Sequence, residues 1–237
     1  MCSFTAPRNT RKIGSDTSPE PVPCYPIFLR VKGKRCVVVG GGEVAERKAS
    51  SLLEGEAWVV VISPQLSPAL QSLAKDGSIL WEARDYRPGD LEGALLAIAA
   101  TDSQEVNRAV AQEAGERCIL VNVVDDPENC SFIMPSVLRR GHLTVAISTG
   151  GLSPALSRRV RQELERSLPA EYALLPSLLA GARRQLKKMQ VEVPPEAWQS
   201  AIDPELLALL REGKEEEARD RLLASLRGKA LPRGVKG

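Results

Sequence analysis

The stretch Val37–Ala49, VVVGGGEVAERKA, runs three valines into three glycines and then straight into helix-forming residues. Gly40-x-Gly42-x-x-Ala45 fits G-x-G-x-x-[GA] between a β-branched run and a helical pattern. Gly40 permits a tight turn, and Gly42 lets the backbone approach a pyrophosphate with no Cβ in the way. Ala45 lets the helix pack close to the strand, so that the amides of its first turn face an anion. A strand-to-helix turn that binds nothing is the competing reading of the same residues.

Outward from this turn, short apolar runs alternate with helical patterns. Strands are expected at Arg35–Val39, Trp58–Ile62, Ile79–Glu82, Leu95–Ala99 and Ile119–Val124, with helices at Val44–Leu53, Pro68–Ala74 and Gln104–Ala114. Strands separated by helices need crossover connections, hence a parallel sheet covered on both faces. The unbroken runs VVV and VVVI suit strands buried on both sides. The expected class is α/β, a Rossmann-like doubly wound parallel sheet.

After Asp125 the pattern changes to one short apolar run, Phe132–Met134, one strand at Leu143–Ser148, and a helix opened by Ser153 and Pro154. Beyond Pro169 the chain reads as helical. The expected organisation is a disordered extension over 1–23, a dinucleotide-binding domain over 24–134 with order beginning at Cys24–Leu29, a small α+β segment over 135–168, and a helical domain over 169–237.

Composition excludes several classes. A net charge of +2 and 4% aromatic residues give little from which to build a nucleic-acid surface. The five cysteines show no C-x-x-C spacing, and His142 is the only histidine, so no protein metal site is expected. No apolar run approaches the roughly 20 residues of a membrane span, and the N-terminus lacks a secretory pattern. A cytoplasmic protein with reduced thiols is expected. Tyr-x-x-x-Lys, which short-chain dehydrogenases need, is absent: four residues after Tyr25, Tyr86 and Tyr172 come Leu29, Asp90 and Pro176.

The acid expected about 20 residues past a dinucleotide turn, at the end of the second strand, is missing. That strand ends Ser63-Pro64-Gln65, where Ser63 or Gln65 can hydrogen-bond a ribose neutrally, and no Arg is present for a 2′-phosphate. NAD is therefore favoured over NADP. Thr101-Asp102 closes the fourth strand and reads equally as a ligand contact or a helix cap. Asp125, in Asn122–Pro127 (NVVDDP), ends the fifth strand and reads as a proton acceptor or as a turn former.

Taken together, YPIFL, VVVGGGEVAERKA, LAIAATD, NVVDDPENCSFIMPS and AISTGGLSPALSRRVRQELE, in this order, resemble the precorrin-2 dehydrogenase family. That family also forms the amino-terminal part of multifunctional siroheme synthases. The resemblance spans roughly Tyr25 to Leu168. It implies an enzyme that passes hydride from precorrin-2 to NAD and forms sirohydrochlorin. Some members also insert Fe2+, so a bifunctional dehydrogenase and ferrochelatase is the alternative, with Fe2+ or Co2+ as substrate; a non-catalytic binding module is a third reading. The family's important acid falls on Asp125. Its cofactor contacts fall on Gly42, Glu43 and Val44 and on Pro64 and Gln65, with Thr101 and Asp102 matching ATD. Thr149 stands where some relatives carry a phosphorylatable Ser.

A tetrapyrrole edged with carboxylates needs local cations. Gly150 and Gly151, after Thr149, offer backbone amides, and Arg158 and Arg159 follow on the next helix among Arg139, Arg140 and Arg161. A solvated face of Arg–Glu pairs is the bland alternative for RRVRQELER. The segment 135–168 has too little core to stand alone, and the family pattern places a homodimer interface there. No nucleic-acid or membrane partner is expected.

Overall fold

The computed structural model describes residues 23–230, so the expectation for the extension before Cys24 lies almost wholly outside the described residues. The chain divides into two compact units. The first runs to Met134 and takes in Thr149–Ser153, and the second comprises Pro135–Ser148 and everything from Pro154.

The first unit is a five-stranded parallel sheet of β1 (Arg35–Val39), β2 (Trp58–Ile62), β3 (Leu80–Glu82), β4 (Leu96–Ala99) and β5 (Leu120–Val123), in the order β3-β2-β1-β4-β5. Helices α1 (Glu43–Glu54) and α2 (Pro68–Lys75) follow β1 and β2, and α3 (Gln104–Glu116) follows β4. Alternate side chains of β1, β2, β4 and β5 enter separate cores. Cys36, Val38, Val59, Val61 and Ile98 pack with Ala45, Ala49, Leu52 and Leu70 on one face. Val37, Val39, Val60, Ile62, Ala97, Ala99, Val121 and Val123 pack with Leu91, Val110 and Ala114 on the other. Burial on both faces accounts for the continuous valine runs. Cys36, fully buried in this sheet, has its thiol pushed up to about 11 by burial.

No helix covers the crossover from β3 to β4. Arg84 grips Asp90 with two hydrogen bonds of 2.7 and 2.8 Å, and Arg35 donates to the carbonyls of Asp90 and Glu92. Glu113 of α3, 7% exposed, accepts from Tyr86 Oη and from the amides of Gly89 and Leu91, with Arg117 at 2.8 Å. Burial works to raise the Glu113 carboxyl, but these hydrogen bonds and Arg117 outweigh it and hold the group below its usual range. Tyr86 moves the other way, raised by burial and by its bond to Glu113.

The second unit contains β6 (Ser136–Arg140), β7 (Leu143–Ile147), α4 (Pro154–Ser167), α5 (Leu175–Lys188), α6 (Pro195–Ser200), α7 (Pro204–Arg211) and α8 (Glu215–Gly228). Leu175, Leu186, Leu206, Leu210, Leu222 and Leu226 form a core among its helices. Asp203 caps α7 at Leu206 N–H (2.8 Å) and receives Arg221 at 2.6 Å.

One expectation needs correction. The sequence gives one strand after the sheet, yet β6 pairs antiparallel with β7 through a two-residue turn at Gly141-His142. Gly141 has φ +54, and a Cβ there would lie 2.6 Å from the Ala173 carbonyl oxygen, so the glycine marks a hairpin rather than a loop. Cys24–Leu29 has no regular structure, with Tyr25, Ile27 and Phe28 exposed.

Candidate functional site

Strand order reverses between β1 and β4, which opens a crevice at their carboxyl ends, the place where open α/β sheets hold ligands. Gly40 has φ +122, and a Cβ there would lie 2.2 Å from the Ala100 carbonyl oxygen. At Gly41 a Cβ would lie 1.8 Å from the Gln65 carbonyl oxygen and 2.7 Å from Ser63 Oγ. The motif leaves that middle position open, so Gly41 is a residue that the pattern could not single out. Gly42 differs from both, since nothing lies within 4 Å of the Cβ it lacks.

Gly42 is also the N-cap of α1, and no side chain caps this helix, whereas Ser67, Ser103 and Asp203 cap α2, α3 and α7. The bond from Glu46 N–H to Gly42 O opens the helix. The amides of Glu43 and Val44 are thus left for an outside acceptor, as the first turn of any helix leaves them. Ala45 is fully buried against the sheet. Glu46, the other first-turn acid, accepts from Ser67 Oγ at 2.6 Å. An open cradle at Gly42 beside uncapped amides fits the pyrophosphate of a dinucleotide.

At the end of β2, Ser63 is buried and its hydroxyl donates to the Gln65 carbonyl at 2.7 Å. It is therefore engaged internally, while Pro64 and the Gln65 side chain are exposed. At the end of β4, Thr101 is locked by buried Asn107. The Thr101 hydroxyl donates to Asn107 Oδ1 at 2.8 Å, and Asn107 Nδ2 donates to the Thr101 carbonyl at 2.9 Å. Helix α3 is capped by Ser103, whose Oγ accepts from Val106 N–H, so the capping role falls on neither Thr101 nor Asp102. Asp102 is exposed with no hydrogen bond among the described residues.

At the end of β5 the two acids separate by role. Asp126 shapes the turn. It accepts from Asn129 Nδ2 at 2.7 Å, and its carbonyl accepts from Cys130 Sγ at 3.2 Å. Asp125 has φ +58, the left-handed region that Asp tolerates better than most residues. Its exposed carboxylate accepts no hydrogen bond among the described residues. Ser131 accepts from Val121 N–H at 2.7 Å, and Cys130 Sγ accepts from Val123 N–H at 3.2 Å, stapling this loop onto β5. Burial raises the Cys130 thiol despite that backbone bond.

The Thr149–Ser153 turn belongs to the first unit. Gly150 and Gly151 both have positive φ, +64 and +86. The Thr149 hydroxyl accepts from Ser153 N–H at 2.9 Å and donates to its carbonyl at 3.2 Å, so it closes the turn. In the second unit, Arg159 pairs with Glu163 at 2.5 Å and Arg161 with Glu165 at 2.6 Å. Those two follow the bland alternative. Arg158 is exposed and makes no ion pair among the described residues. Asn107, Cys130 and Ser131 were not legible as site residues, because their roles rest on contacts made across turns to other strand ends.

Residues 27–136 match the family model described as "Putative NAD(P)-binding", and residues 140–167 match that of the sirohaem biosynthesis protein central region. A siroheme synthase of Thioalkalivibrio sulfidiphilus is 41% identical over 204 residues, covering 85% of this chain and 42% of that protein. Siroheme synthase 1 of Aeromonas salmonicida is 48% identical over 162 residues, 68% of this chain and 35% of that protein. The chain thus spans less than half the length of these curated relatives. The solved structure of SirC, a precorrin-2 dehydrogenase, superposes with a TM-score of 0.67 at 25% identity, covering 84% of this chain and 98% of that one.

Proposed function

We propose that the chain is a member of the precorrin-2 dehydrogenase family of siroheme biosynthesis, which its likeness to siroheme synthases and to SirC supports, and that it oxidises precorrin-2 to sirohydrochlorin with NAD. The observation that carries this reading is the pairing, in one unit, of an open, uncapped dinucleotide cradle at Gly42 with an unengaged carboxylate at Asp125. Both follow parallel strands and so stand at the carboxyl edge of one sheet.

When bound, NAD+ accepts the hydride that leaves the substrate carbon. Gly40, Gly41 and Gly42 set the backbone against the pyrophosphate, with Glu43 and Val44 supplying amides and Ala45 the close helix packing. Pro64, Gln65, Thr101 and Asp102 border the ribose positions. Asp125 takes the ring proton released with the hydride, so that precorrin-2 and NAD+ give sirohydrochlorin, NADH and a proton. Fixing the two reactants against each other supplies much of the rate. In the first unit, the amides of Gly150 and Gly151 in the Thr149 turn are candidates to bind a substrate carboxylate; in the second, the exposed guanidinium of Arg158 is a separate candidate. Arg159 contributes less, because Glu163 holds it.

Asp125→Ala tests the assignment: turnover is lost while NAD+ binding is kept, and a fully active variant refutes the role. Fe2+ insertion is the second reading. It uses the same acid as acceptor for a pyrrole proton, with the metal as substrate, and among the described residues no three His, Cys, Asp or Glu side chains are grouped to hold an ion.

A homodimer built on 135–168 is part of the proposal. Among the described residues the β6–β7 hairpin, packed against α4, leaves both outer edges unpaired, and an open edge is a template for a second copy. Light scattering showing only monomer at micromolar concentration would remove this part. A cytoplasmic setting agrees with the free thiols at Cys24, Cys36, Cys118 and Cys130. Among the described residues no helix is long and apolar enough to cross a membrane.

A further inference from the structure

Lys48 stands out as a charge that the fold does not need. It sits in the second turn of α1, half-buried, with no hydrogen bond or ion pair among the described residues. An apolar side chain would fill that place without the desolvation that an ammonium suffers there.

Helix geometry says where it points. Ala45, Ala49 and Leu52 mark the face that α1 buries. At about 100° per residue, positions 46 and 48 fall about 160° apart, on opposite flanks of that face. Glu46 meets Ser67, beyond β2, and so fixes one flank toward that edge. The other flank, carrying Lys48, turns toward β4 and the loop that follows β5. Phe132 of that loop packs into the same core as Ala45 and Ala49.

The charges around the ammonium agree with this placement. Burial first, and then Arg47, lower the lysine, while Cys130 and Asp125 are near enough to act in the opposite sense. Asp126 is the further acid beside Cys130. Asp125 is the exposed carboxylate of this group, on a left-handed residue with no hydrogen bond to orient it.

We propose that Lys48 is a positioning residue for Asp125: its ammonium, projected from α1 across to the β5 loop, supplies the opposite charge that fixes the direction of the Asp125 carboxylate. The proposal rests on the reading of Asp125 as proton acceptor, and on the loop geometry, which gives Asp125 no other tether among the described residues. Lys48 itself exchanges no proton with the substrate.

The test uses the full chain with Lys48→Met, which keeps the apolar stem, together with Lys48→Arg and Asp125→Asn. Lys48→Met is expected to lower kcat about tenfold or more while KM for precorrin-2, Kd for NAD+ and Tm stay within about twofold or a few degrees of the parent. Lys48→Arg recovers most of kcat. The carboxyl-carbon NMR signal of Asp125, assigned by its loss in Asp125→Asn, shifts in Lys48→Met and returns in Lys48→Arg. A raised KM with unchanged kcat would overturn the proposal in favour of a lysine that binds a substrate carboxylate, and an unmoved Asp125 signal would overturn it outright. An active Asp125→Asn variant defeats the proton-acceptor reading instead, and the NMR signal then decides the tether by itself.

Discussion

Adding one methyl group at Gly41 or at Gly42 separates the part of the glycine turn that holds the fold from the part that holds the cofactor. In Gly41→Ala the new carbon falls 1.8 Å from the Gln65 carbonyl oxygen, so the turn and the segment after β2 must part by about 1.2 Å to reach the shortest tolerated contact. Both sides of that contact are backbone, so no side chain can swing away. Overpacking of this kind costs about 3 kcal/mol, the upper end of its usual range. For a chain of this size that is a fall in Tm of roughly 10 °C. Gly42→Ala meets nothing within 4 Å, and its φ of −84° suits any residue, so the loss of stability stays under about 1 kcal/mol. Its methyl group instead occupies the space reserved for the pyrophosphate, and NAD+ affinity is expected to fall at least tenfold. Thermal unfolding with and without NAD+, alongside calorimetric titration, reads both effects. Equal Tm values for Gly41→Ala and the parent, or parent-like NAD+ affinity in Gly42→Ala, would refute the division of labour.

Two further perturbations reach other parts of the molecule. The Glu113 carboxyl is lower in the folded chain than in the unfolded one, so it adds stability above the unfolded value and loses that contribution as pH falls through the folded one. Glu113→Ala should therefore cost about 3 kcal/mol at neutral pH and flatten the acid limb of stability measured by denaturant titration; an unchanged limb would count against the network. On α4, Arg158→Ala should raise KM for precorrin-2 several-fold while Arg159→Ala barely moves it, since Glu163 already occupies Arg159. The reverse order would contradict the assignment of the free guanidinium.

Much of the first unit was legible because its signals are local. β1 and β2 are each centred on or closed by a run of three valines, and the burial of both strand faces leaves those runs uninterrupted. β6 was hidden because Ser136–Arg140 buries only Leu138 and ends in two arginines, so its pattern carries little of a strand. At the site, Gly40 and Gly42 stood out by the spacing of the glycine motif, and Asp125 by its place at a strand end. The choice of Asp125 over Asp126 was not available from composition. It came from the family resemblance, and the engagement of Asp126 by Asn129 and Cys130 is consistent with it. Gly41, Asn107 and Lys48 depend on neighbours from other elements, and nothing in their immediate sequence announces those contacts.

The central claim is tested most directly by an anaerobic mixture of the protein, NAD+ and precorrin-2, with NADH and sirohydrochlorin followed together. The account predicts that the two products rise in equal amounts in the parent and that neither rises in Asp125→Ala, which still binds NAD+. No NADH from the parent, with NAD+ and precorrin-2 both shown to bind, would contradict it and leave the cradle at Gly42 a binding site without turnover.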